Sequence, residues 1–578
     1  MLHAGIKSAY IFLYKTRYFD YMLEEEVLKL LEKAGIKEAK LEIPKEKEFG
    51  DLAFPCFELA KKEKRSPIEI ANGIVEKIKS QKSYFVKKVE QRNGYVNFFF
   101  DWSKVSEIVL KEILKGKKIR KKGRIMVEFS QPNPVHSMHI GHARGTFLGD
   151  SLSRILEYSG YKVIKANLMN DTGLQVAKLL TAYVLWANGE KPIGKPDFWL
   201  WKLYVKFHEE AKKDITLEEK AREILRKIEE GKDEKLVKIW KKIVRWCVKG
   251  FEETYRKLGI KFDVYFYESD FREFGKKMVE EGVKKGIMIK TEDGAVLSRL
   301  EKFGLPDTIL LRSDSTGLYI TSDLGMTVQR FKKYKLDKHI WVVSSEQTLH
   351  FKQLFKILEM FGYEWVKGCK HFSFELVKLP EGKMSSREGK AVMLDEVVEK
   401  ICELAYEEVK KRNLGMGERK KRKLAREIGI GALKYAIVKI EPEKNITFDW
   451  NKMLKFEGDT GPYLQYAHTR CAGILRKAGK WKARFSFKEL SEGEKELVKC
   501  LMKFDDVVEK AGEDLKPHYI CNYAFELATL FDKFYETNPV LKAGSEERKN
   551  FRLTLVKATK VVLGNALKLI GIEPLERM

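Results

Sequence analysis

The run Pro132-Asn133-Pro134-Val135-His136-Ser137-Met138-His139-Ile140-Gly141-His142 stands where an apolar strand, residues 124–129, gives way to a helix. That helix sets Leu148, Leu152 and Ile155 on one face and stops at Gly160. Strand, tight loop and helix make the first half of a parallel-sheet unit, and the mouth of such a unit is the usual nucleotide site of α/β folds. Two imidazoles, His139 and His142, take the place of a glycine-rich loop with a lysine. Gly141 leaves the backbone bare, so a flat adenine ring fits against it. The helix start adds N–H donors and a partial positive charge that favour phosphate. Read alone, the same two histidines also suit a surface helix cap, and the rest of the chain has to separate the two readings.

A chain of 578 residues is too long for one core, so about two to four domains are expected. No apolar run approaches a membrane span. The net charge of +27 is spread along the chain, which points to a polyanionic partner. A surface built for ion-pair networks at high temperature accounts for the charge density equally well, although not for the surplus. Seven cysteines with no close pair argue against a disulfide framework and a zinc ribbon, and fit a reducing cytoplasm. No metal site is assigned. Residues 1–21 are aromatic and basic, without a cleavage signal, and Met22 opens an amphipathic helix. They read as a loosely packed extension or as the product of an upstream start.

Residues 22–118 read as a self-contained α/β unit. It has a helix over 24–33, the loop Phe49-Gly50-Asp51-Leu52-Ala53-Phe54-Pro55, a helix after Ser66-Pro67, and strands over 85–88 and 95–100. A basic linker over 115–123 follows. Residues 119–450 alternate strands with helices, as in a doubly wound, Rossmann-like parallel sheet, with further strands over 340–343 and 371–378. A charged helical insertion occupies about 197–258, and its tryptophans at 199, 201, 240 and 246 are assigned to packing. From 451 to 578 the pattern is amphipathic helix throughout, including 525–535 and 553–569, which predicts an all-α bundle.

A second motif, Lys383-Met384-Ser385-Ser386-Arg387-Glu388-Gly389-Lys390, lies far downstream. Together with His139-Ile140-Gly141-His142 it resembles the two signature loops of the class I aminoacyl-tRNA synthetases. Ser386 stands where the class usually has a second lysine, a departure common among arginyl-tRNA synthetases. The resemblance implies that Lys383, with Met384 and Ser385, meets the charge moving onto leaving pyrophosphate, with Arg387, Lys390 or His136 replacing the missing cation. It implies catalytic roles for His139, Gly141, His142, Lys383 and Ser385, with ATP and Mg²⁺ as cofactors. His136, Met384 and Arg387 join His139, Gly141, His142 and Lys383 as ATP contacts.

The likeness to arginyl-tRNA synthetases continues through Tyr265-Phe266-Tyr267-Glu268-Ser269-Asp270 and Leu318-Tyr319-Ile320-Thr321-Ser322-Asp323-Leu324. It implies that Glu268, Tyr319 and Asp323 hold a guanidinium, while Asn133, Gln347 and His139 serve the α-amino end. A planar cation suits paired carboxylates. Tyr319 and Asp323, four apart, share one face of a helical turn. Without the family match, Asp323 reads as a helix-dipole partner and Tyr319 as core. The N-terminal unit is similar to the family's tRNA-elbow domain. The C-terminal bundle is similar to its anticodon-binding domain, from Glu457-Gly458-Asp459-Thr460-Gly461-Pro462-Tyr463 to the terminal Met578. Tyr463, Tyr466, Arg470, Tyr535 and Met578 are the implied tRNA contacts; ordinary bundle core is the competing reading for Tyr466 and Tyr535. The implied reaction is ATP-dependent activation of arginine and its transfer to the 2′-hydroxyl of the terminal adenosine of tRNA(Arg), by a cytoplasmic monomer. Two other readings stand: a class I enzyme for another amino acid, and a non-catalytic tRNA-binding relative.

Overall fold

The computed structural model describes residues 18–116, 121–378, 392–412, 415–447, 454–455 and 457–578. Its centre is a five-stranded parallel sheet of β1 (Arg124–Glu128), β2 (Lys162–Met169), β3 (Val264–Tyr267), β4 (Lys338–Ser344) and β5 (Cys369–Phe374). The strand order is β5-β4-β1-β2-β3, and every pairing is parallel. Ile125, Met126 and Val127 are almost completely buried because helices cover both faces, which is why β1 reads as one apolar run. The order reverses between β1 and β4, the position where parallel sheets of this kind open a crevice beyond the strands' carboxyl ends.

Helix α1 (Ile140–Tyr158) returns from that crevice across the sheet, burying Leu148, Leu152 and Ile155. It lies so close to β1 that a Cβ at Gly149 would stand 2.2 Å from Phe129 Cγ. Between β2 and β3 come α2 (Leu174–Trp186) and three helices of the insertion: α3 (Pro196–Ala211), α4 (Thr216–Glu230) and α5 (Glu234–Leu258). Trp201 and Trp240 are buried there, and Trp199 and Trp246 pack partly buried against the same core. Helix α6 (Tyr319–Tyr334) leads into β4.

The expected strand over 371–378 is two elements. β5 ends at Phe374, the Glu375 N–H donates to Pro442 O at 2.9 Å, and Val377–Lys378 pairs instead with Ile446–Thr447. In the N-terminal unit the first helix runs Tyr18–Lys33, since neither glycine nor proline interrupts it before Glu24. Three antiparallel strands follow, with Tyr95–Phe100 between Leu52–Pro55 and Val86–Arg92. Asp51 accepts from the Phe100 N–H (2.9 Å) and Trp102 Nε1 (3.1 Å), and pairs with Lys499 at 3.2 Å. Leu52–Pro55 of the expected loop is therefore strand, and Asp51 just before it docks this unit onto the C-terminal helices.

Helices α7 (Leu394–Arg412) and Glu418–Val438 precede residue 451 and pack on the C-terminal bundle through Leu575 and Met578. Within the bundle, α8 (Gly461–Ala478), α9 (His518–Thr537) and α10 (Glu546–Leu569) supply most of the core. Among the described residues no helix is long and apolar enough to cross a membrane.

Candidate active site

The chain leaves β1 through two consecutive non-glycine residues in the left-handed region, Ser130 (φ 79°) and Gln131 (φ 43°). Each such residue costs about 1–3 kcal/mol unless its surroundings hold it. Here Ser130 Oγ bonds Tyr255 Oη (2.7 Å) and Thr146 Oγ1 (2.8 Å), and the Gln131 N–H donates to Asn167 Oδ1 at 3.1 Å. The turn aims the next residues into the crevice. Asn133 Oδ1 is buried with no hydrogen-bond partner among the described residues. Cys247 Sγ donates to Pro134 O at 2.9 Å, and Ser137 Oγ to Asp197 Oδ2 at 2.9 Å, so the loop is fastened from beneath. His136 sets its ring edge against Tyr204, 5.0 Å between centroids.

His139 is the N-cap of α1, and the two signature rings cap it reciprocally. The Gly141 N–H donates to His139 Nδ1 and the His139 N–H to His142 Nδ1, both at 3.1 Å. The ring centroids are 4.0 Å apart. A neutral imidazole whose Nδ1 accepts must carry its proton on Nε2. Burial lowers His139 to about 4, and burial, with His139 and His136 nearby, holds His142 well below its ordinary value. Both rings are therefore neutral Nε2–H donors, set close together at a helix N-terminus.

Across the sheet, Glu268 opens the short turn after β3 and is buried. Asn170, just beyond β2, donates to Glu268 Oε2 at 3.1 Å. Burial raises Glu268 to about 7, and Asp323 and Asp171 add to the rise. Tyr319 begins α6, and Asp323 lies one turn later. Tyr319 is 61% exposed, so it is not core; partial desolvation, then Glu268, raises its hydroxyl, which would stand 3.9 Å from a Cβ on Gly173. Asp323 Oδ2 bonds His350 Nε2 at 2.7 Å. Glu268, Tyr319 and Asp323 thus interact as one acidic cluster. Gln347 ends the turn after β4, exposed at the crevice mouth.

A buried ion pair joins the two halves. Glu128, the last residue of β1, pairs with Arg330, two turns beyond Asp323 on α6. Gln131 Nε2 donates to the same carboxylate at 2.8 Å, and the Arg330 guanidinium lies 4.0 Å from the Phe266 ring centroid.

Lys383, Met384, Ser385, Arg387 and Lys390 lie outside the described residues, as do residues 1–17. The chain that follows that segment is described. The Ile140 N–H donates to Val392 O at 3.1 Å, the Leu394 N–H to Met138 O at 2.9 Å, and Met393 bridges His139. The residues after the second signature therefore pair directly with the first.

At the other end, Tyr463, Tyr466 and Arg470 share one face of α8. Arg470 Nη1 pairs with Asp532 Oδ1 at 2.6 Å, and Tyr463 donates to Asp532 Oδ2 at 2.8 Å. The Arg470 guanidinium lies 5.1 Å from the Tyr466 ring centroid and 5.5 Å from that of Tyr535. Tyr466 and Tyr535 are 39% and 38% exposed, so neither is core. Met578 packs elsewhere, partly buried in the cluster of Tyr406, Val409 and Leu424.

Sequence reasoning overlooked Asn170, His350 and the Glu128–Arg330 pair. Asn170-Asp171 directly follows an apolar strand, a position that faces the crevice in any parallel sheet, and that signal was available. Nothing local marks Arg330, whose partner is about two hundred positions away.

Three family models match the chain: tRNA synthetases class I (R), catalytic domain, over residues 104–450; DALR anticodon binding domain, over 464–578; and Arginyl tRNA synthetase N terminal domain, over 21–100. An arginine–tRNA ligase of Clostridium kluyveri is 38% identical over 97% of this chain and 100% of its own. One from Clostridium perfringens is 38% identical over 94% of this chain and 96% of its own. The arginyl-tRNA synthetase structure from Thermus thermophilus superposes with a TM-score of 0.80 at 28% identity, covering 96% of this chain and 99% of that one.

Proposed function

The chain belongs to the class I arginyl-tRNA synthetases, with their arginine–tRNA ligase activity, and on that premise we propose how its residues divide the work. The observation that carries the arginine assignment is electrostatic. Burial and the neighbouring Asp323 make Glu268 costly to ionise, and among the described residues neither carboxylate has a lysine or arginine within ion-pair distance. A guanidinium supplies the missing cation with paired N–H donors. The Tyr319 hydroxyl adds a neutral contact, and His350 keeps Asp323 oriented. Uncharged amino acids leave both acids desolvated and unpaired, which disfavours them. The orphan Asn133 Oδ1 accepts from the α-ammonium, with Gln347 and His139 alongside.

Mg²⁺, when present, would offset charge on the triphosphate; among the described residues no group of three His, Cys, Asp or Glu side chains is placed to hold the ion, so it would come with ATP. Adenine lies against Gly141, and the Nε2–H groups of His139 and His142 donate to phosphate oxygens, with His136 beside them. The arginine carboxylate attacks the α-phosphorus, the bond to the bridging oxygen breaks, and pyrophosphate leaves with its electron pair. Lys383, with Met384, Ser385 and Arg387, takes up the charge on the leaving group; the pairing of Met393 with His139 supports bringing that segment there. The 2′-hydroxyl of the terminal adenosine then attacks the arginyl carbonyl carbon, the acyl–phosphate bond breaks, and AMP departs with the hydroxyl proton taken up by its phosphate oxygen. Positioning and fixed donors supply the rate, since no side chain has to become covalently bound.

Residues 22–118 are assigned to the tRNA elbow, 119–450 to catalysis and 451–578 to the anticodon. There Tyr466, Arg470 and Tyr535 form an aromatic–cation platform for an unstacked base, with Tyr463 flanking, while Met578, packed in a separate cluster, would have to meet the tRNA apart from that platform. The seven unpaired cysteines support a cytoplasmic setting, and the protein is taken as a monomer. ATP–pyrophosphate exchange with each of the twenty amino acids, with and without tRNA, tests the assignment. Exchange driven by arginine alone is expected; exchange driven by another amino acid overturns the pocket.

A further inference from the structure

Four segments distant in sequence meet under the His139 loop. Lys195, the N-cap residue of α3, places Nζ 2.8 Å from Asp197 Oδ2 and 2.8 Å from Asp395 Oδ2. Asp197 is fully buried and also accepts from Ser137 Oγ, inside the first signature. Its other oxygen has no hydrogen-bond partner among the described residues and is pressed against α5, where a Cβ on Gly250 would stand 2.1 Å away. Asp395 lies in the first turn of α7, two residues beyond the Met393 bridge to His139. It also accepts from Thr254 Oγ1 (2.8 Å) and Lys257 Nζ (2.7 Å), both on α5. Burial raises the Asp395 carboxyl, but Lys195 and Lys257 outweigh it and hold it below the usual range.

Among the described residues, Lys195 is thus the one ammonium joining the carboxylate beneath the first signature to the carboxylate at the start of α7. We propose that Lys195 is a positioning residue for adenylate formation, holding the His139 loop and the Val392–Asp395 segment at a fixed separation. It touches neither substrate. The inference rests on the assignment of both signatures to one nucleotide. If the bridge goes slack, the two sides of the triphosphate site drift apart, and the loss falls mainly on the chemical step, because the guanidinium contacts Glu268 and Asp323 stand on other elements and only the α-amino contacts Asn133 and His139 ride on the loop.

The test is ATP–pyrophosphate exchange with saturating tRNA, expressed per active site by burst titration, on full-length wild type, Lys195→Met, Lys195→Arg and Asp395→Asn. Lys195→Met is expected to lower kcat by about 10- to 100-fold, with KM for arginine within about twofold of wild type. Lys195→Arg, which can still span both carboxylates, is expected to recover most of the loss. Asp395→Asn leaves the Lys195–Asp197 pair intact, so it keeps the fold while loosening the tie, and its kcat is expected to fall in the same direction. A Lys195→Met kcat per active site equal to wild type overturns the proposal. So does a Lys195→Arg variant as impaired as Lys195→Met, or a normal kcat in Asp395→Asn. Wild type failing to exchange with arginine is a different failure, that of the functional assignment itself.

Discussion

Replacing Glu268 with glutamine separates what this carboxyl costs the fold from what it contributes to binding. Burial, aided by Asp323 and Asp171, moves it from 4.5 to about 7. Between those values the folded protein holds a proton that the unfolded chain has released, so stability falls as pH rises through the window. Above it the whole cost is present, about 3 kcal/mol at ~1.4 kcal/mol per pH unit. Glu268→Gln keeps the shape and the contact to Asn170 but carries no charge to desolvate. At pH 8 the variant should therefore melt above wild type, and the gap should close as the pH is lowered toward 5. Arginine binding should move the other way. Losing one partner of a buried charge pair costs at least about 2 kcal/mol, or roughly 30-fold in Kd at pH 8. In wild type, affinity should weaken as the pH drops below 7 and a proton competes for Glu268; in the variant it should not respond. Melting scans and calorimetric titration with arginine at pH 5, 7 and 8 read all of this. A variant less stable than wild type at pH 8, or one whose arginine affinity keeps the wild-type pH response, refutes the reasoning.

His142→Asn keeps an acceptor near the position of Nδ1 but loses the Nε2–H donor, and exchange should fall by about 10²–10³-fold; His142→Gln, which extends a donor to that point, should lose less. Gly149→Ala drives a methyl into the Phe129 ring, so a loss of about 1–3 kcal/mol is expected in denaturant unfolding, and an unchanged midpoint contradicts the close approach of α1 to β1. Arg470→Ala removes the cation between Tyr466 and Tyr535; KM for tRNA should rise about 5-fold or more while KM for arginine stays constant, as aminoacylation assays would show.

The strand, turn and helix that carry the first signature were legible in the sequence because their pattern is local. His139, Gly141 and His142 lie within one helical turn, and the apolar strand and periodic helix around them fix where that turn sits. Tyr319 and Asp323 were legible as a pair through helical spacing, but only the family resemblance joined them to Glu268, since nothing in either segment encodes their meeting. What stayed hidden is long-range or conformational. Glu128 and Arg330 are each unremarkable in sequence, and the left-handed turn at Ser130 and Gln131 involves neither glycine nor asparagine. Residues 371–378 read as one strand because Phe372, Phe374 and Leu376 are apolar at alternate positions; the break at Glu375 comes from competition by Ile446–Thr447 for the second half. Lys195, Asp197 and Asp395 read as ordinary surface charges until the fold closes over them.

The central claim is that one guanidinium is shared by two acids while two neutral imidazoles hold the adjoining phosphate. A crystal structure with a non-hydrolysable arginyl-adenylate analogue tests it most directly. The account predicts guanidinium nitrogens within about 2.7–3.2 Å of both Glu268 and Asp323, and phosphate oxygens at the same range from Nε2 of His139 or His142. A guanidinium turned toward solvent, or bound by other residues with Glu268 left empty, contradicts it.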